Sequence, residues 1–174
     1  MTAPTIPADL AAWCSANDAR AQDELFAFLR IPSVSARSEH KADCAEAAQF
    51  VADALTRIGF TATIEPTPGH PIVVGEWRNA GPDAPTLLVY GHYDVQPADP
   101  LNLWKTPAFE PTIVGNRIYG RGAADMKSGL AAMVCAVSPA NRMHDGRAEH
   151  RLRGAAGGVG AGGVKEERGR EGEA

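Results

Sequence analysis

Three residues of this chain carry side chains suited to binding a divalent metal ion. His92 and Asp94 follow the apolar run at residues 87–90, and Asp125 follows the glycine-containing segment at residues 120–124. A histidine nitrogen combined with carboxylate oxygens is a donor set that Zn²⁺ accepts in proteins. Because His92 and Asp94 are two positions apart, an extended backbone directs both side chains to the same face. The pattern therefore indicates half of a two-metal hydrolytic site.

The three residues are expected to have different roles. One imidazole nitrogen of His92 is predicted to bind a metal, while Asp94 accepts a hydrogen bond from the other nitrogen and fixes its tautomer. Each motif alone has an alternative explanation. His92 and Asp94 also fit a surface pair at the end of a strand, and Asp125 fits an acidic residue favoured by the dipole at a helix N-terminus. The occurrence of both motifs where a strand gives way to a loop or helix favours the metal site.

Hydrophobic periodicity predicts the elements that must position these residues. Helical spacing predicts three helices, over residues 9–30, over 41–58 and from 126 onward. Strand patterns cover residues 60–64, 72–77 and 86–90, and Gly115-Asn116 predicts a hairpin. The continuously apolar residues 87–90 are typical of a central strand that is buried on both faces. This mixture of helices and strands predicts an α/β fold.

The composition limits the classes of function. A chain of 174 residues with 44% hydrophobic residues suits one globular domain. The net charge of −4, with no basic stripe outside the C-terminal part, argues against nucleic acid and membrane partners and favours a small-molecule substrate. We find no membrane-length apolar run and no signal-like N-terminus, so we expect a cytoplasmic protein. The three widely spaced cysteines fit buried thiols in a reducing compartment.

The hydrophobic pattern is lost after Val137. Residues 138–174 are rich in Gly, Arg, Ala and Glu and contain few side chains that can pack. We therefore expect a folded portion over residues 1–137 and a disordered low-complexity tail over residues 138–174. The abrupt change also suggests a truncated or frameshifted copy, a hypothesis that translation of the coding DNA in the other two frames tests.

Two segments of the chain resemble the N-terminal metal motifs of the dizinc exopeptidase and deacylase family. They are residues 88–97, around His92 and Asp94, and residues 120–129, around Asp125. The family includes cytosolic and carnosine dipeptidases, acetylornithine deacetylase, succinyl-diaminopimelate desuccinylase and aminoacylase. Residues 29–35 and 104–109 also resemble the dipeptidase branch, so the resemblance covers about residues 8–137. It implies the N-terminal part of a zinc-exopeptidase-type catalytic domain, with a mixed central sheet flanked by helices.

The resemblance also implies a chemistry. In that family two zinc ions activate a water molecule, so His92 would bind one ion, Asp125 would bridge both and Asp94 would orient His92. The peptide bond between Asp125 and Met126 would be cis. The implied activity is dipeptidase-like hydrolysis of a small peptide, with an N-acyl amino-acid deacylase or a non-catalytic fragment as alternatives.

Part of the expected machinery is not recognisable in the sequence. The family uses one of two adjacent glutamates as general base, after an apolar strand. Glu166-Glu167 and Glu171-Gly172-Glu173 lack such a strand and fit a solvated charge run better. The later metal ligands and the domain through which the often homodimeric family associates are also absent, so we expect an incomplete, inactive chain. His40 and His70 are predicted to be surface residues.

Overall fold

The computed structural model describes residues 6–80, 82–143 and 151–157. Within them lie three α-helices, α1 (Ala8–Arg30), α2 (Lys41–Arg57) and α3 (Lys127–Met143). The strands in the same residues are β1 (Thr61–Glu65), β2 (Ile72–Trp77), β3 (Thr86–His92), β4 (Thr112–Val114), β5 (Arg117–Tyr119) and β6 (Arg151–Gly157). The predicted α/β fold is confirmed, and the first two helices and first three strands lie within a few residues of their expected bounds.

Local chemistry explains where the first two helices end. α1 stops before Pro32, because proline disfavours helical backbone in the residue that precedes it. α2 is followed by Gly59 with φ of 92°, a conformation open to glycine at low cost. The buried face of α2 is formed largely of small residues, which lets the helix lie close to β2: a Cβ on Gly75 would be 2.9 Å from Leu55 Cδ1.

The main sheet is mixed, as expected. Its strand order is β1-β2-β6-β3, with β1, β2 and β6 antiparallel in turn and β6 parallel to β3. α2 packs on β1 and β2, and α3 packs on β3. The separate hairpin of β4 and β5 turns at Gly115, whose φ is 63°, as the predicted turn requires.

The expectation that β3 is central and buried on both faces is wrong. β3 lies at one edge of the described sheet, and Leu87, Leu88 and Tyr90 are 51%, 65% and 61% exposed. The apolar run was therefore a poor guide to burial. Its neighbour β6, whose sequence has little apolar character, occupies the interior position.

The expected tail is also corrected for part of its length. α3 extends through Ser138 and Pro139 to Met143, and residues 151–157 form β6, paired on both sides. Backbone hydrogen bonding can hold such small residues in a sheet without an apolar signal, and Ala156 is 3% exposed. Residues 144–150 and 158–174 lie outside the described residues, so the domain division and the frameshift hypothesis stay predictions. No helix in the described ranges is long and apolar enough to cross a membrane.

Candidate metal site

His92 is the last residue of β3, and its imidazole is held on one side by Asp94. Nδ1 lies 3.1 Å from the Asp94 carbonyl oxygen and 3.1 Å from the carboxylate oxygen Oδ1. Both oxygens can only accept hydrogen bonds, so Nδ1 must carry the proton and donate it. The hydrogen bond is made to the Asp94 carbonyl oxygen, whereas the prediction placed it on the carboxylate, whose Oδ1 atom is buried beside Nδ1 without a hydrogen bond of its own. The arrangement leaves Nε2 on the far side of the ring.

The Nε2 atom of His92 faces the second predicted ligand. It lies 3.2 Å from Asp125 Oδ1, just before α3, and the Asp125 side chain is 79% exposed. With Nδ1 protonated, a neutral imidazole presents a lone pair at Nε2 to an anionic oxygen, and this contact needs a shared proton or a cation. Two donors on one tetrahedral zinc, each at about 2.1 Å, lie roughly 3.4 Å apart. The nitrogen and oxygen pair therefore fits a metal ion by chemistry and spacing.

The fit covers only part of a metal centre. In residues 6–80, 82–143 and 151–157 there is no group of three or more His, Cys, Asp or Glu side chains arranged to hold a metal ion. A structural zinc site needs four ligands, and a catalytic one normally takes three from the protein. The glutamates that follow Lys165 lie outside the described residues. His92 and Asp125 are thus brought together as two donors of an incomplete set.

Ser35, a half-buried residue that sequence reasoning did not single out, supports Asp94. The Asp94 side chain is almost fully buried, and the Ser35 hydroxyl donates a hydrogen bond to its Oδ2 atom. Ser35 belongs to residues 29–35, which the sequence marked only by resemblance. The sequence therefore offered a motif that contains Ser35 but no indication of its contact with Asp94.

Lys127 is the other residue whose position was not foreseen. Its ammonium is fully buried and donates to the carbonyl oxygens of Phe28 at 2.8 Å and Ile31 at 2.6 Å, and it lies 4.6 Å from the Phe28 ring centroid. Burial lowers the pKa of Lys127 to about 7, against smaller opposing effects of Cys44 and nearby carboxylates. Nothing in the sequence around Lys127, two positions after Asp125, indicates that its ammonium is buried.

The two histidines predicted to be surface residues are partly exposed, and each has a polar partner. His70 Nε2 donates to the Ser35 carbonyl oxygen at 2.9 Å, and His40 Nδ1 lies 2.5 Å from Asp43 Oδ2. Neither belongs to a metal-binding cluster within the part of the chain that the structure describes. The peptide bond between Asp125 and Met126 is cis, as the resemblance implied.

Comparison with known proteins finds a related peptidase family. Residues 88–150 match the model of peptidase family M20/M25/M40. Succinyl-diaminopimelate desuccinylase of Aromatoleum aromaticum is 52% identical over 61 residues, which are 35% of this chain and 16% of that protein. Residues 88–150 are therefore similar to peptidase family M20/M25/M40, a family of hydrolases, and this match covers about a third of the chain.

Solved structures extend the similarity over more of the chain. An M20 family metallo-carboxypeptidase from Sulfolobus solfataricus is 34% identical with a TM-score of 0.69, over 79% of this chain and 30% of that one. Human carnosine dipeptidase 1, at 23% identity and a TM-score of 0.80 over 94% of this chain and 37% of that one, shows a likeness of fold. The family predicted from the two motifs is confirmed, at the level of M20 peptidases and deacylases and not of one branch. The chain spans well under half the length of each relative.

Proposed function

We propose that this chain carries part of the metal centre of an M20-family amide hydrolase. His92 and Asp125 are its metal ligands, and Asp94 positions His92. The observation that carries the proposal is the imidazole whose Nδ1 proton is held by Asp94 while Nε2 lies 3.2 Å from Asp125 Oδ1. Nitrogen and hard oxygen donors favour zinc, and the family resemblance favours two ions with Asp125 between them.

The described residues contribute to the proposed metal centre by orienting its ligands. A metal ion held by His92 and Asp125 would supply Lewis-acid polarisation of an amide carbonyl and a water molecule of lowered pKa. Asp94 keeps the proton on Nδ1, so that Nε2 stays free to bind, and the exposed Asp125 carboxylate stays open to ligands. The general base and the remaining ligands are to be sought outside the described residues. We therefore expect no turnover from the described residues alone.

Two substrate classes remain in competition. The motif around His92 favours a dipeptidase-like enzyme that acts on small peptides in the cytoplasm. The 52% identity to a desuccinylase favours the second candidate, a deacylase that acts on N-acyl amino acids. Both reactions are hydrolyses of an amide bond, so the same metal ligands serve either one. The dimers that the family resemblance implies for the parent family are likewise a proposal and not an observation.

Metal binding by the untagged chain tests the ligand assignment. Co²⁺ replaces Zn²⁺ in such sites and gives visible absorption, so its dissociation constant can be measured by titration. We expect His92→Gln and Asp125→Asn each to weaken binding at least tenfold, while the control His40→Gln leaves it unchanged. Equal Co²⁺ affinity in the His92 variant and the unaltered chain would reject the site.

The substrate class needs a chain with a complete centre. If translation of the coding DNA in another frame supplies an apolar strand followed by paired glutamates, the restored chain should be assayed with dipeptides and with N-succinyl amino acids. Faster release of succinate would favour the deacylase, and faster release of free amino acids from dipeptides would favour the peptidase. Activity that persists in the restored chain after His92→Gln would contradict both.

A further inference from the structure

We propose that residues 31–35, held in place by Lys127, form a positioning element that sets the distance between His92 and Asp125. The inference rests on the proposed function, because it gives residues outside the donor set a role in metal binding. It assigns a purpose to the segment that the sequence marked by resemblance alone. Contacts run from this one segment to both halves of the site.

The first contacts fix the backbone that follows His92. Ser33 Oγ donates to the Tyr93 carbonyl oxygen at 2.8 Å, and Val95 N donates to the Ser33 carbonyl oxygen at 2.9 Å. Val34 and Val95 also form a parallel bridge. Ser33 and Val34 are almost fully buried, so water does not compete for these hydrogen bonds. The segment thus extends the ordered backbone beyond the end of β3.

A side-chain contact carries this order to the imidazole. Ser35 donates to Asp94 Oδ2, while the other carboxylate oxygen lies 3.1 Å from His92 Nδ1. The Ser35 carbonyl oxygen is in turn held by His70 Nε2 at 2.9 Å. The Asp94 carboxylate is therefore held from one side as it holds His92 on the other. Rotation of the Asp94 side chain would move the carboxylate away from Nδ1 and leave the ring with the hydrogen bond to the Asp94 carbonyl oxygen alone.

The last contacts reach the Asp125 half of the site. Lys127, two positions after Asp125, donates to the carbonyl oxygens of Phe28 and Ile31. Carbonyl groups in the last turn of a helix lack partners within the helix, and a cation there is favoured by the helix dipole. Because a buried ammonium is costly without such partners, the position of Lys127 is strongly specified. One short segment therefore contacts the residues next to both proposed metal ligands, His92 and Asp125.

The first experiment removes one hydroxyl and measures metal binding. Ser35→Ala is compared with Thr56→Ala, which also removes one hydroxyl, but one that donates to the carbonyl oxygen of Ala52 at 2.9 Å within α2, away from Asp94. Loss of a group that orients a metal ligand typically weakens affinity by about 10–100-fold. We expect the Co²⁺ dissociation constant to rise about tenfold in Ser35→Ala and to stay unchanged in Thr56→Ala, with similar urea midpoints. Equal dissociation constants in the two variants would overturn the proposal.

A second variant and a metal-free readout keep the test decisive. Lys127→Met, with Lys41→Met as its control, is expected to weaken Co²⁺ binding as well; if it does not fold, Ser35→Ala decides. Nitrogen NMR at alkaline pH, with the His92 signal identified by its loss in His92→Gln, reports the imidazole tautomer without metal. We expect the Nδ1–H form in the unaltered chain and an added Nε2–H form in Ser35→Ala.

The two readouts separate failure of this proposal from failure of the proposed function. If the unaltered chain binds no Co²⁺, the metal site fails, and the tautomer alone then tests the positioning of His92. An unchanged tautomer in Ser35→Ala would overturn the role of the segment even if metal binds.

Discussion

Replacing Gly122 with alanine should destabilise the chain through a steric contact at the centre of the candidate site. Gly122 lies three positions before Asp125 and has φ of 88°. A Cβ at this position would be 3.0 Å from Val95 Cγ1 and 3.2 Å from Lys127 Cδ. Both neighbours belong to the buried support of the site, so neither can move away without disturbing it. The substitution therefore combines a backbone cost with a packing cost.

A matched control separates the backbone cost from the packing cost in the loss of unfolding free energy. Left-handed backbone costs a residue with a Cβ about 1–2 kcal/mol. Gly59 has nearly the same φ, 92°, but a Cβ there would have nothing within 4 Å, so Gly59→Ala carries the backbone cost alone. Forcing an extra carbon into a packed site adds about 1–3 kcal/mol. We expect Gly122→Ala to lose about 2–5 kcal/mol in all, and to exceed Gly59→Ala by about 1–3 kcal/mol.

Urea unfolding followed by circular dichroism measures both variants. The free energy of unfolding is extrapolated linearly to water for the unaltered chain, Gly122→Ala and Gly59→Ala under identical conditions. A loss in Gly122→Ala no larger than in Gly59→Ala would refute the reasoning, because the contacts with Val95 and Lys127 would then carry no cost.

Two further predictions concern the core beneath the site. Burial raises the pKa of the Cys44 thiol from 9.0 to about 11, so the folded chain retains a proton that the unfolded chain releases. The resulting stability is fully present below pH 9 and falls by about 2 kcal/mol as the pH rises to 11. Unfolding at several pH values should show this slope, and its persistence in Cys44→Ala would contradict the assignment. Phe28 is 2% exposed and its ring stacks on Phe50 at 4.9 Å, so Phe28→Ala should cost about 3–5 kcal/mol in urea unfolding. Leu103→Ala, at a position 74% exposed, should change stability by less than about 0.5 kcal/mol, and equal losses would sink the claim that Phe28 is a core residue.

Local periodicity predicted most of the helices and strands because their signals lie within short windows. α2 could be read from its buried stripe, and β2 was predicted with its observed bounds. β6 could not be read in this way, because its alanines and glycines are held by hydrogen bonds to β2 and β3, far away in the sequence. The same cause explains the misplacement of β3. An apolar run does not indicate which strand will pair with it, or on which side.

The candidate site shows the same division between local and distant information. His92, Asp94 and Asp125 were identified from residue type, spacing and motif. Ser35 and Lys127 were assigned no role, because their partners lie 59 and 96 positions away in the chain. The sequence does not indicate which distant carboxylate or carbonyl group a given hydroxyl or ammonium will contact.

The distribution of burial around the site follows from the two demands on a metal ligand. A donor atom must be open to the ion, and Asp125 accordingly has a side chain that is 79% exposed. Its direction must nevertheless be fixed, and this requires support that water cannot replace. Asp94, which is 3% exposed, lies against His92, and Lys127, which is 0% exposed, anchors the chain two positions after Asp125. Substitutions beneath the site should therefore lower metal affinity without touching a donor atom. Those at the exposed carboxylate should remove affinity while leaving the fold intact.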